Sequence, residues 1–92
     1  MKLKSGHNII FHPDLTPRII AQVVGEDIWL CLKYYYGVGT VALPSRLISE
    51  KLDIAQVTVV RRVGKGLLTL KNYLQSLEKL RTYSSDKTKS RV

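Results

Sequence analysis

Residues 56–65 read Gln-Val-Thr-Val-Val-Arg-Arg-Val-Gly-Lys. These side chains suit the reading of a duplex. Arginine donates two hydrogen bonds to the guanine edge, glutamine pairs in two places with adenine, and a valine methyl can lie against the methyl of thymine. Lysine and arginine at the edges of such a helix neutralise phosphate, a salt-dependent attraction that carries no sequence information. Gln56, Val57, Val60 and Arg61 are therefore the candidates for base contact. Ser45, Arg46, Thr58, Arg62, Lys65 and Lys71 are the candidates for phosphate contact. The plainer alternative for Arg61-Arg62 is the solvated face of a core helix.

Such side chains need a scaffold that holds them outward. A helix-turn-helix consists of two short helices packed steeply through a few apolar positions, the second presenting its polar face to the major groove. Residues 45–64 supply the parts. Leu47, Ile48 and Leu52 give the first helix an inner side, with Ser49 small at the crossing. Ile54 follows the turn, and Val59 and Val63, four apart, form the inner stripe of the second helix. Two positions depart from the ideal. Asp53 stands where glycine is usual, and aspartate tolerates the left-handed conformation better than most residues. Ala55 stands where a serine or threonine cap is common.

The charge is distributed to match. The 92-residue chain carries a net +8. Residues 1–53 hold six lysines and arginines against five acids, whereas residues 54–92 hold nine against two. That asymmetry predicts a polyanionic partner, nucleic acid before anionic membrane, with a merely solubilising surface as the alternative. The length allows one domain of marginal stability that a second chain would help, and 45% hydrophobic residues are enough to fold.

Elsewhere the pattern predicts an all-α chain of about four helices, a reading that rests on apolar periodicity. Residues 8–11 are either a short strand or an apolar plug. Thr16-Pro17 opens a helix, threonine capping and proline fitting the first position. Gly25 separates it from a second helix or merely weakens a continuous one, and Gly37-Val38-Gly39-Thr40 ends the stripe of Ile28, Trp29, Leu32 and Tyr35. Pro44-Ser45 opens the next helix, with Ser45 as cap. The helix from Gln56 extends toward Arg81.

Within it Leu67, Leu70, Leu74 and Leu77 repeat at three- and four-residue steps, a coiled-coil seam that predicts a homodimer. The alternative is an intrachain core, the helix folding back on the N-terminal segment. Gly64 and Gly66 either break the helix or mark a close backbone approach. Three segments are thus expected: an arm at 1–15, the helix-turn-helix domain with its dimerisation helix at 16–83, and a basic flexible tail at 84–92.

The amphipathic helix at 28–35, the helix-turn-helix at 45–64 and the helix continuing from Leu67 to Leu80 together resemble small bacterial, plasmid- or phage-borne regulators, in arrangement closest to TrfB/KorA-type plasmid repressors and PapB-type fimbrial regulators. The resemblance covers about half the chain and carries superfamily-level motifs. It implies a dimeric transcriptional regulator on partly palindromic double-stranded DNA.

Other chemistries find less support. No nucleophile–base set, phosphate loop or carboxylate pair is visible, so no enzyme activity and no cofactor are expected. His7 and His12 lack a third ligand, so no metal is expected. Trp29 and Tyr34-Tyr35-Tyr36 could stack on single-stranded bases, but such residues more often anchor a small core. No apolar run reaches the ~18 residues of a membrane span, and the basic start is not followed by the apolar core of a signal peptide. The lone Cys31 suits a reducing cytoplasm. A protein-interaction adaptor that binds RNA polymerase or another regulator is the rival reading, and a membrane-surface role for the basic C-terminal helix is a weaker third.

Overall fold

The computed structural model describes the backbone of residues 6–91 and the side chains of residues 6–80. The chain is all-α. Among the described residues five helices run in order: α1 (His7–Ile10), α2 (Pro17–Val24), α3 (Glu26–Tyr36), α4 (Ser45–Leu52) and α5 (Gln56–Arg91). No strand occurs among the described residues. The expected strand-or-plug at 8–11 is a single helical turn that drives Ile10 into the core.

The helix boundaries follow local chemistry. The Thr16 hydroxyl accepts from the Ile19 amide at 3.2 Å, and Pro17 occupies the first helical position of α2. Gly25, at φ 93°, separates α2 from α3. Gly37 ends α3 in the left-handed conformation, its N–H returning to the Lys33 carbonyl. The following loop is tied back where the Leu43 amide donates to the Tyr34 carbonyl at 2.8 Å. Ser45 is not the cap of α4. Pro44 takes that place without a side-chain bond, and Ser45 is the first helical residue.

Helix α5 is the spine. It contacts each of the other four helices, α3 most extensively. It does not break at its two glycines, and it extends as helix through Arg91, so the expected tail at 84–91 continues the same element. No glycine or proline interrupts residues 67–91, which leaves the helix no local reason to stop. Its length gives the molecule its 58 × 28 × 19 Å extents.

The core is gathered around this spine. Ile20, Cys31, Leu32, Ile48, Val59 and Leu70 are fully enclosed, joined by Ile10, Leu15, Trp29, Tyr36 and Val63. Trp29 and Tyr36 are thus core residues, and Tyr35 meets Tyr36 edge-on at 5.1 Å. Tyr34 is flanked by the Lys33 and Lys51 ammonium groups, 5.7 and 5.2 Å from its ring centre. These rings are occupied within the fold rather than laid out as a stacking platform.

The leucine repeat divides by burial. Leu70 is wholly buried inside one chain, and Leu67 and Leu74 pack against the same cluster. Leu77 is partly buried and shares a groove with His12, Asp14, Leu74 and Glu78. The fold-back of helices α1, α2 and α3 onto α5 encloses Leu70 and covers Leu67 and Leu74 in part.

Candidate nucleic-acid interface

Helix α4, the turn at 53–55 and the first turns of α5 form a helix-turn-helix unit, and its geometry follows from four local features. Asp53 takes the left-handed conformation at φ 55°, the only non-glycine among the described residues with positive φ. This bends the chain out of α4 in the way glycine usually does. The Ser49 carbonyl accepts from the Asp53 amide and, at 3.1 Å, from the Ile54 amide. The Ser49 hydroxyl donates to the Ile54 carbonyl in a short hydrogen bond. Serine therefore does more at the crossing than stay small: it binds the turn at two points. Finally, the Ala55 carbonyl accepts from the amides of Thr58 and Val59 at 3.0 and 3.2 Å, starting α5 without a side-chain cap.

The inner stripe is as expected. Ile48 and Val59 are enclosed and Val63 nearly so, with Leu52 and Ile54 packed at the margin. Leu47, expected on the inner side, lies at the surface. The helix turns about 100° per residue, so burying Val59 and Val63 sends Val57, Arg61 and Gly64 to the opposite side and Val60 to its flank. All four are exposed, and each valine leaves 56% of its surface open.

Gln56 is exposed at the start of the helix, where its side-chain amide donates to the Ser45 hydroxyl at 3.0 Å. This bond links the first residues of α4 and α5. Ser45 is thereby a positioning partner of Gln56, a relation the sequence did not suggest.

The phosphate candidates divide. Arg46, Lys65 and Lys71 are exposed, and Thr58 and Ser45 are half-buried. Arg62 is half-buried and turned away from the outer face. It lines a groove with Glu26, Asp27, Ile28 and Lys65, and its guanidinium sits beside the Cys31 thiol. Burial raises the Cys31 pKa from its ordinary value, while the Arg62 guanidinium opposes the rise. Arg62 is thus a link between α5 and α3 more than a member of the outer surface.

The two glycines also separate. A Cβ on Gly66 would stand 2.7 Å from Cγ2 of Ile28 and 2.9 Å from Cδ1 of Leu32, so Gly66 is where α3 crosses α5. A Cβ on Gly64 would meet nothing within 4 Å. Leu68, one turn beyond Gly64, leaves 61% of its surface exposed on the same side.

The remaining candidates lie apart from this face. His12 Nδ1 accepts from the Asp14 amide at 3.0 Å, and the His7 ring stacks, tilted, on Phe11 at 4.4 Å. No group of three or more potential metal ligands occurs among the described residues, and no helix among them is long and apolar enough to cross a membrane. A scan against protein-family models, a search of curated proteins and a search of solved structures each return no match.

Proposed function

We propose that this protein is a sequence-specific, double-stranded DNA-binding transcriptional regulator of the cytoplasm, non-enzymatic, with repression slightly favoured over activation. One observation carries the reading. The second helix of the helix-turn-helix unit buries Val59 and Val63 while leaving Val57 and Arg61 open on the opposite side, Val60 exposed at its flank and Gln56 exposed at the helix start. That side has the residue types of major-groove contact, and the exposed Arg46, Lys65 and Lys71 are the candidates for phosphate. A homodimer would place two such helices one DNA turn (~34 Å) or a multiple apart. Leu70 is enclosed within the chain, so the dimer seam would draw on the open surfaces of Leu67, Leu74 and Leu77 or on another face.

The test is a mobility shift with genomic fragments, including the protein's own promoter region, at two salt concentrations and with excess competitor. A discrete band that survives competitor and weakens with salt is expected, and Arg61→Ala should abolish it. A smear erased by competitor would reduce the reading to non-specific charge attraction.

A second reading, an adaptor that binds RNA polymerase or another regulator, draws support from the apolar character of Val57, Val60 and Leu68 on the open face. Under that reading Arg61→Ala leaves partner capture intact, and no duplex is shifted even at low salt.

A further inference from the structure

The outer face of α5 is unusual in what it lacks. Between Val57 and Gly64 the outward positions are two valines, one arginine and one glycine. Only Arg61 offers strong hydrogen-bond donors there, and the nearby Gln56 amide is engaged with Ser45. We infer, on the DNA-binding reading above, that this face selects its site chiefly through the C5-methyl groups of thymine, with the duplex seated close against the bare backbone at Gly64.

Three observations converge on this occupant. First, Val57 and Val60 lie three residues apart on one side of a helix, a rise of about 4.5 Å, which suits methyl groups on neighbouring base pairs. Second, the apolar strip is bordered by cations. Arg46, Arg61, Lys65 and Lys71 are all exposed, with Glu50 and Asp53 the acids on the neighbouring helix and turn. A second copy laid on this face would bring like charges together, whereas a polyanion complements them. Third, glycine is costly in a helix interior, and Gly64, unlike Gly66, meets no neighbour that its missing side chain would accommodate. It lies about 10 Å of helix rise from Val57, within reach of a groove about 12 Å wide. A side chain at 64 would hold the helix away from the base edges.

The experiment is selection of a preferred site from randomised duplexes with the full chain, followed by replacement of each thymine with deoxyuridine, which removes only the methyl. Two or more positions in the selected site should each lose about fourfold in affinity, the worth of one buried methyl. In Val57→Ala or Val60→Ala protein the loss at the matching position should vanish. Gly64→Leu, which the open surroundings accommodate in the free chain, should weaken the selected site by roughly tenfold or more, the scale of one specific base contact. A selected site in which every thymine tolerates uracil overturns the inference while leaving the DNA-binding reading intact. If no site is enriched, both fail together and the face belongs to a protein partner.

Discussion

Gly66 of α5 faces Leu32 of α3 where these two longest helices cross, with a Leu32 methyl 2.9 Å from where a Gly66 Cβ would be. Leu32 is fully enclosed, and the neighbouring Ile28 is β-branched and stiff, so neither can readily move aside. Gly66→Ala should therefore cost about 1–3 kcal/mol, the usual penalty of overpacking. Gly64→Ala should instead stabilise by roughly 0.5–1 kcal/mol, because helix propensity rises and nothing is displaced. Urea midpoints at constant slope would measure both. Equal effects at the two glycines would contradict the packing described here.

Leu70 distinguishes an internal core from an exposed seam. Being wholly buried in one chain, it should lose about 2–5 kcal/mol as Leu70→Ala. Leu70→Lys should leave the chain unfolded, since an unpaired charge in the core exceeds what a small domain can absorb. Far-ultraviolet circular dichroism with sedimentation would decide. A folded, monomeric Leu70→Lys protein would return Leu70 to an intermolecular seam.

Asp53 holds the turn in a conformation that suits glycine better. Asp53→Val should destabilise by about 1–2 kcal/mol, the cost of the left-handed region for a side chain branched at Cβ. Asp53→Gly should hold stability or raise it slightly, and by removing a negative charge beside the outer face it should strengthen binding to any duplex at low salt. Thermal melts and titration of a non-specific duplex give the two readouts.

Burial pushes the Tyr36 phenol from its ordinary 10.0 up to about 12, with Tyr35 adding to the rise. The native state therefore holds this proton after the unfolded chain has released it. The Tyr36 contribution to stability should be full below pH 10 and fall as pH climbs toward 12. The raised Cys31 thiol acts in the same direction. Tyr36→Phe should flatten the alkaline loss of melting temperature relative to the parent chain. An unchanged slope would place Tyr36 in water.

The Ser49 hydroxyl bonds the Ile54 carbonyl across the turn. Ser49→Ala should cost about 0.5–1.5 kcal/mol, the net worth of one such hydrogen bond. It should also loosen the start of α5, visible as faster amide exchange at Thr58 and Val59, whose amides the Ala55 carbonyl accepts. Unchanged exchange there would show that the Ser49 side chain does not set the turn.

The sequence by itself determined what depends on near neighbours. Periodicity marked the all-α class, the helix start at Thr16-Pro17 and the inner pair Val59 and Val63, because a helix repeats its faces every few residues. It also marked Val57, Val60 and Arg61 as outward, the necessary complement of that pair. Tertiary structure decided everything that depends on which surfaces meet. A three- and four-residue leucine repeat looks the same whether another chain or the same chain covers it, and only the return of α1, α2 and α3 onto α5 placed Leu70 inside. Gly64 and Gly66 are chemically identical and two residues apart. They differ because helix rotation turns one toward α3 and the other outward. Arg61 and Arg62 divide for the same reason: one step of about 100° separates the open face from the groove beside Asp27 and Cys31.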